Sequence, residues 1–205
     1  MMRKRLSILL ISIGIGLFGI WYIHENLKEI NKQLEVSKNM LIRYVDEAEK
    51  IEGQPIISQS SITYPKVKQE YAYMQSEEGS VQEKIYFGDS EDILDIGVGQ
   101  YIGSGIFGEG KPILLAGHNG TNFKGLQYVK DQEKIYITTD YGNFVYRVYQ
   151  TEIMKATDFK AEVLQQDKEI LIMYTCYPFT AITTDYRYFV YAEKVEGVSI
   201  EEDVT

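Results

Sequence analysis

The sequence predicts an all-β domain, a single and mostly antiparallel barrel or sandwich with one or two short helices, preceded by a transmembrane helix and a helical stalk. Three patterns predict this arrangement: an uncharged apolar run near the start, a seven-residue apolar repeat after it, and then short strand-like segments separated by Gly, Asp and Asn. Many short strands with few helices are typical of barrels and sandwiches, in which sheet encloses one hydrophobic core.

The first element is the apolar run over residues 6–23, which carries no charged side chain. As a helix it spans about 27 Å, enough to cross the hydrocarbon core of a membrane. Residues 1–5 form a basic tail, which predicts a cytoplasmic amino terminus and a folded domain outside the cell. A cleaved signal peptide is the alternative, but no small-x-small cleavage site follows, and Trp21 and Tyr22 are typical of a membrane interface. We therefore expect a single-pass protein of the cell membrane.

A helical stalk is predicted over residues 24–52. Apolar or small side chains recur every seven residues in two series, which are Leu27, Leu34, Leu41 and Ala48, and Ile30, Ser37, Tyr44 and Ile51. A spacer helix is our interpretation, and a coiled-coil dimer is the alternative that Ser37 and Ala48 disfavour. Gly53-Gln54-Pro55 ends the helix, and residues 53–70 form a predicted linker.

The strand-rich domain is predicted over residues 71–195 and is followed by an acidic carboxyl-terminal tail over residues 196–205. Its strands are expected at Tyr71–Gln75, Val81–Phe87, Lys111–Ala116, Lys134–Thr139, Asn143–Thr151, Ile170–Thr175 and Arg187–Lys194. Tyr141-Gly142-Asn143 is a hairpin signal between two of them. Short helices are expected at Glu91–Val98 and near Asp158–Val163.

Composition excludes several classes of protein. The formal net charge of -9 argues against nucleic-acid binding, which requires a basic face. The single cysteine excludes an internal disulfide framework and any zinc or iron–sulfur site built from several cysteines. With two histidines in the chain, few nucleophilic sites can be built. We therefore expect a site without a cofactor.

Two continuous apolar runs end at reactive side chains. Residues 112–116 are followed by Gly117 and His118, and residues 170–174 are followed by Thr175 and Cys176. Because such runs indicate strands buried on both faces, His118 and Cys176 are both predicted where a central strand meets a loop. Arg187 begins a later strand, and an antiparallel hairpin between the two strands would place it beside Cys176.

These three side chains have complementary chemistry. Cysteine supplies a nucleophile, histidine an acid or base, and arginine a positive charge that stabilises an oxyanion or a thiolate. A structural interpretation stays open, since a lone cysteine is most often a buried hydrophobe and Arg187 can pair with Asp185. An unpaired thiol outside the cell is exposed to oxidants, which favours a functional cysteine.

The order and surroundings of these residues resemble the sortases, the cysteine transpeptidases of Gram-positive cell surfaces. His118 closes Leu115-Ala116-Gly117-His118, Cys176 follows Thr175, and Arg187 comes last, which is the order of that family. Other matching segments are Ile85-Tyr86-Phe87-Gly88-Asp89-Ser90 and Gly97-Val98-Gly99. Ile172 and Met173 replace the first Thr and Leu of the family motif Thr-Leu-x-Thr-Cys. The segments Thr175–Phe179 and Arg187–Tyr191 are most similar to class D sortases.

The resemblance implies a closed β-barrel and a mechanism. Cys176 would attack a carbonyl in an LPxTG-like sorting motif of a secreted protein, Arg187 would hold the oxyanion, and His118 would protonate the leaving amine. A peptidoglycan precursor or another amine would then accept the acyl group. Side chains that flank the trio and are candidates for substrate binding are Asn119, Tyr174, Thr175 and Phe179.

No metal is expected at this site. Sortases of another class bind calcium in an acidic loop, and this chain has an acidic stretch with Asp158, Glu162, Asp167 and Glu169. We interpret those four side chains as a solvated acidic surface.

Two other functions are compatible with these residues. A Cys–His peptidase or hydrolase of the cell wall is one, although the papain-like enzymes usually carry Cys before His in the chain. A catalytically inactive, membrane-tethered binding module is the other, and it would make the trio structural.

Overall fold

The computed structural model describes residues 27–28, 55–181 and 184–203. The predicted anchor over residues 6–23 and almost all of the predicted stalk lie outside the described residues. Among the described residues, no helix has the length and apolar character needed to cross a membrane. The fold described below is that of the unit Glu52–Thr205.

The described residues form a closed eight-stranded β-barrel and a small two-stranded sheet. The strands are β1 (Ile56–Ser58), β2 (Glu70–Ser76), β3 (Gln82–Phe87), β4 (Val98–Gln100), β5 (Ile113–Ala116), β6 (Lys134–Thr139), β7 (Asn143–Lys155), β8 (Ile170–Tyr177), β9 (Tyr186–Gly197) and β10 (Ser199–Glu201). The barrel closes in the order β2-β3-β4-β5-β8-β9-β7-β6. Within residues 55–181 and 184–203, one short α-helix, α1, spans Glu91–Leu94. The all-β class and the closed barrel are therefore confirmed.

Most neighbouring strands of the barrel are antiparallel, as predicted, but β3–β4 and β5–β8 are parallel pairs. A parallel pair requires a crossover connection, and the β5–β8 crossover contains β6 and β7. All of β5 and the first four residues of β8 are buried, which confirms that the two apolar runs are central strands.

Both faces of β8 are buried because it lies between two apolar clusters. Leu171 and Met173 face the main core inside the barrel, together with Leu115 of β5. Ile170 and Ile172 alternate with them and face outward, where they form a second cluster with Leu114, Phe189 and side chains of the β7–β8 connection. This second cluster fixes the outer surface on which the reactive side chains lie.

Three short strands, β1, β4 and β10, are not predicted from the sequence. β4 lies where the predicted helix was expected to continue, since α1 ends at Leu94. β1 and β10 pair in parallel and lie in the predicted linker and the predicted tail. Segments of three residues carry too little periodicity to be recognised, and their pairing depends on chain segments that are distant in sequence.

The connection between β7 and β8 also differs from its prediction. A helix was expected near Asp158–Val163, whereas two separate 3₁₀ turns span Ala156–Asp158 and Ala161–Gln165. Between and within them, Phe159, Val163 and Leu164 pack against the second cluster. Phe159 stacks on Phe189 with ring centroids 5.2 Å apart. These outward contacts, rather than a helical hydrogen-bond pattern, determine the path of the connection.

Candidate active site

The pairing of β8 with β9 brings the predicted nucleophile and the predicted cation together. Cys176 is the register partner of Arg187 in this antiparallel pair. Residues directly opposite one another in such a pair have side chains on the same face of the sheet, with Cβ atoms about 4.5–5.5 Å apart. The expected hairpin is therefore present. Cys176 is a half-buried free thiol, so it is neither sealed in the core nor fully exposed.

The parallel pairing of β5 with β8 brings the histidine to the same edge. Ala116 is the register partner of Tyr174, and His118 lies two residues further along the chain. The Gly117 N–H donates to Tyr174 O at 3.3 Å, which continues the strand contact to the residue before His118. A Cβ at Gly117 would lie 2.8 Å from the buried Phe123 ring, so only glycine permits this approach.

A side-chain hydrogen bond from Thr175 joins the end of β8 to the residue that follows β5. Its hydroxyl donates to Gly117 O at 2.7 Å, and the residue is only 1% exposed. A side chain this deeply buried presents little surface to a bound peptide, and substrate binding by Thr175 stays a prediction. The hydrogen bond ties the residue before Cys176 to the residue before His118.

Two carboxylates that the sequence analysis missed face His118. Its Nε2 lies 3.6 Å from Glu91 Oε1 and 3.8 Å from Asp95 Oδ1. Glu91 and Asp95 are four residues apart at α1, a spacing that places both on one side of the helix and that is visible in the sequence. These contacts become ion pairs when the imidazole is protonated. They also show that Nε2 is the ring nitrogen that faces α1.

The same three side chains offer ligand atoms within 4.8 Å of one another, so they are a group that can hold a metal ion. The side chains of Glu91 and Asp95 are 80% and 68% exposed. A cation bound between them would also be coordinated by Nε2 of His118. Exposed carboxylates are well solvated by water alone. We therefore treat Glu91 and Asp95 as partners of the imidazole.

Arg187 is held by backbone carbonyls. Its Nη1 donates to Thr184 O at 2.6 Å and to Tyr186 O at 3.0 Å. Among the described residues, no carboxylate forms an ion pair with Arg187, and the neighbouring Asp185 is exposed. The structural alternative in which Asp185 neutralises Arg187 is therefore not what the structure shows.

Tyr174 lies close enough to Cys176 and Arg187 to interact with both electrostatically. Burial raises the pKa of its phenol; nearby Asp89 and Cys176 raise it further, whereas nearby Arg187 lowers it. Its ring stacks on Phe189 with centroids 5.4 Å apart, so the side chain is fixed on the outer face of β8. Substrate binding by Tyr174 stays a prediction.

The other two predicted substrate-binding residues have contacts within the protein. Asn119 Nδ2 donates to Pro178 O at 3.2 Å and to Ala181 O at 2.8 Å, so it joins the His118 loop to the β8–β9 connection. Phe179 packs partly buried against the main core, with its ring 5.4 Å from that of Tyr188. These contacts support the loops around the trio.

The acidic stretch between β7 and β8 does not act as a single surface. Asp158, Glu162 and Asp167 are exposed, as interpreted, but Glu169 is 7% exposed and wrongly included. Its carboxylate accepts hydrogen bonds from Gly108 N and Gly110 N, each at 3.1 Å, and from the Tyr146 hydroxyl, and it pairs with Lys194 at 3.3 Å. The solvated acidic surface therefore comprises Asp158, Glu162 and Asp167, and Glu169 belongs to the protein interior.

Comparison with known proteins agrees with this geometry. The model of the Sortase domain family matches residues 74–195, which is more than half of the chain. The chain belongs to the sortase family. Sortase D of Bacillus subtilis (strain 168) is 34% identical over 112 residues, which cover 54% of this chain and 57% of that relative. The matched region thus spans little more than half of the relative's length, and the match agrees with the likeness to class D sortases.

Solved sortases of several classes share the fold. Sortase C of Streptococcus pneumoniae is 26% identical with a TM-score of 0.56, covering 63% of this chain and 70% of that structure. The Clostridium perfringens sortase D5 transpeptidase is 22% identical with a TM-score of 0.58, covering 67% and 86% respectively. Sortase A from Corynebacterium diphtheriae is 24% identical with a TM-score of 0.57, covering 63% of this chain and 62% of that structure. The barrel described here is therefore a sortase fold.

Proposed function

We propose that this sortase is a membrane-anchored cysteine transpeptidase that cleaves an LPxTG-like sorting motif of secreted proteins and transfers the acyl group to a cell-wall amine. One observation carries the proposal. The register pair Cys176–Arg187 lies at the edge of the barrel where β5 ends two residues before His118, so strand pairing brings nucleophile, cation and acid–base group to the same edge. Together they supply the groups that acyl transfer to an amine requires.

The first half of the reaction forms a thioester. The Cys176 thiolate attacks the carbonyl carbon of the sorting motif, and the carbonyl π electrons move onto oxygen. The guanidinium of Arg187, which no described carboxylate neutralises, stabilises that negative charge. The C–N bond then breaks, the leaving amine takes a proton from the His118 imidazolium, and the acyl group remains on sulfur.

The second half transfers the acyl group. An incoming amine attacks the thioester carbonyl, and His118 accepts the proton that the amine loses. The C–S bond breaks, the new amide leaves, and the Cys176 thiolate is regenerated. Water in place of the amine gives a carboxylic acid instead, so the balance between hydrolysis and transfer reports which acceptor reaches the site.

The anchor and the location are part of the same proposal. The uncharged run over residues 6–23, preceded by basic residues 1–5, supports a single membrane helix with its amino terminus in the cytoplasm. Residues 24–52 would then act as the stalk. The catalytic barrel would act outside the cell, where secreted substrates and peptidoglycan precursors are found.

The test uses the purified full chain in detergent and a fluorogenic peptide with an LPxTG-like motif. We expect cleavage without added amine, and a shift of the product from acid to amide when an amine is added, both followed by mass spectrometry. The thioacyl enzyme should appear as a mass adduct that maps to Cys176. Cys176→Ala should abolish turnover and leave the melting temperature unchanged.

The controls separate the alternatives. Cleavage that persists in Cys176→Ala refutes the proposed nucleophile. Acid as the sole product, at every amine concentration, would indicate a peptidase or hydrolase. No cleavage across a set of sorting-motif peptides, combined with an unreactive thiol in the folded protein, would indicate a binding module.

A further inference from the structure

Thr184 forms hydrogen bonds with three residues near the paired ends of β8 and β9, which are Tyr177, Tyr186 and Arg187. Its hydroxyl donates to Tyr177 O at 2.7 Å and accepts from Tyr186 N at 3.1 Å. Its own carbonyl accepts from Arg187 Nη1 at 2.6 Å. Because Tyr177 and Tyr186 are register partners, the Thr184 hydroxyl bridges the last paired residues of β8 and β9.

We propose that Thr184 is the positioning residue that aims Arg187 at the reacting carbonyl. The proposal rests on the proposed function, since it assigns the purpose of Arg187 to stabilisation of the oxyanion. The hydroxyl holds the Thr184 backbone in place, and the Thr184 carbonyl in turn holds the guanidinium. Thr184 itself does not touch the substrate.

The chemistry of this contact suits that role. A carboxylate partner would fix the guanidinium but cancel its charge, whereas a neutral carbonyl fixes it and leaves the charge available to an oxyanion. Both carbonyls engage the same nitrogen, Nη1, so the remaining N–H donors of the planar guanidinium stay oriented and available. Arginine otherwise has a long side chain with much rotational freedom, which must be lost before the transition state is stabilised.

The local charges make the aim of Arg187 important. The exposed Asp185 carboxylate is the neighbour between Thr184 and Tyr186, and it is a competing partner for a guanidinium released from the carbonyls. If the Thr184 backbone moves, Arg187 can turn to Asp185 and its charge is neutralised. The hydroxyl of Thr184 therefore keeps the cation on the side of Cys176.

The experiment compares four variants of the full chain: Thr184→Ala, Thr184→Val, Thr184→Ser and Thr180→Ala. Alanine removes the hydroxyl, and valine removes it while keeping the branched shape. Serine retains both hydroxyl bonds, and the exposed Thr180 in the same connection is the matched control. We expect kcat to fall roughly tenfold in the alanine and valine variants, with KM changed less than twofold, since a displaced catalytic group lowers the rate rather than peptide binding. The serine and Thr180 variants should stay within about twofold of the native kcat.

A second measurement follows Arg187 directly. The side-chain ¹⁵Nε–H signal of Arg187, assigned by its loss in Arg187→Lys, should show a lower order parameter in Thr184→Val than in the native chain or in Thr184→Ser. A native order parameter in Thr184→Val overturns the proposal, and so does a native kcat in both hydroxyl-free variants. If alanine prevents folding, the valine and serine variants decide the question by the same two readouts.

The failure of this inference can be told from failure of the proposed function. If the native chain cleaves no sorting-motif peptide, the proposed function fails, while the order parameter of Arg187 still reports whether Thr184 holds it. If the native chain is active and Thr184→Val is equally active with an ordered Arg187, the inference alone fails.

Discussion

The contact between Thr175 and Gly117 should matter for both stability and activity, and replacement of Thr175 by valine tests it. Valine keeps the branched shape but removes the hydroxyl that donates to Gly117 O at 2.7 Å. Because Thr175 is 1% exposed, water cannot replace that donor, and the loss should cost about 1–3 kcal/mol of unfolding free energy. For a domain of this size, that corresponds to a fall in melting temperature of roughly 2–12 °C.

The same contact sets the position of His118, which follows Gly117. A shift of about 1 Å in a catalytic group can lower the rate by up to about 100-fold, so we expect kcat for sorting-peptide cleavage to fall roughly 10- to 100-fold in Thr175→Val. Thr175→Ser keeps the hydroxyl and loses one methyl group, which costs about 0.8 kcal/mol of burial, and it should retain most of the native kcat. Differential scanning fluorimetry and peptide cleavage by the full chain provide the two measurements.

Thr151, which is exposed on β7, provides the matched control. Thr151→Val makes the same chemical change without removing a buried donor, and it should alter neither the melting temperature nor kcat. A Thr175→Val variant that melts lower but keeps the native kcat would refute the positioning role. An unchanged melting temperature would refute the assigned strength of the buried hydrogen bond.

Three further predictions follow from other contacts. Glu169→Ala should lower the unfolding free energy by about 3–5 kcal/mol in denaturant titrations, because it leaves the ammonium of Lys194 buried without its counter-ion; Glu169→Gln should cost less. Burial, with smaller effects of nearby acidic groups, raises the pKa of Tyr136 and of Tyr191 to about 12. Because the folded state favours the neutral phenols, they contribute stability that is fully present below pH 10. That contribution is lost as the pH rises from 10 toward 12. Absorbance at 295 nm should show both phenols titrating near pH 12, and urea midpoints should fall over the same range. Asn119→Ala should lower kcat/KM for peptide cleavage and lower the melting temperature by roughly 2–4 °C, because it removes both hydrogen bonds to the β8–β9 connection.

Each of these predictions has a result that contradicts it. A Glu169→Ala protein with native stability would contradict the cost assigned to leaving the Lys194 ammonium without a carboxylate, since its remaining partner is the Val198 carbonyl oxygen. Phenols that titrate together near pH 10 would contradict the burial of Tyr136 and Tyr191. An Asn119→Ala protein with native melting but reduced binding of the peptide would favour the original prediction that Asn119 contacts substrate.

The central strands illustrate what a single sequence predicts well. The apolar runs over residues 112–116 and 170–174 identify strands that are buried on both faces, because burial requires apolar side chains at every position. The apolar character of a short run is a local property of the sequence, so it can be recognised without knowledge of the rest of the fold. The same property makes the uncharged run over residues 6–23 a predicted membrane helix, which lies outside the described residues.

The site was predictable in its residue types but not in its supporting contacts. Cys176 and His118 stood out because the chain has one cysteine and few histidines, and because each follows a buried strand. By contrast, Glu91 and Asp95 lie among many acidic side chains, and nothing local distinguishes them until the fold places α1 against His118. Glu169 also lies in an acidic stretch, and only the fold shows that it is buried.

The sequence by itself determined the all-β class, the buried strands β5 and β8, and the chemical types at their ends, since these depend on the order of side chains along short segments. Only the tertiary structure decided the exact register that sets Arg187 opposite Cys176, the hydrogen bond that ties Thr175 of β8 to Gly117, and the pairing of β1 with β10. Strand register and barrel closure result from the packing of the whole core, because a shift of one residue reverses every side chain between the inner and outer faces. The sequence therefore specifies which groups can react, and the closed barrel brings them together.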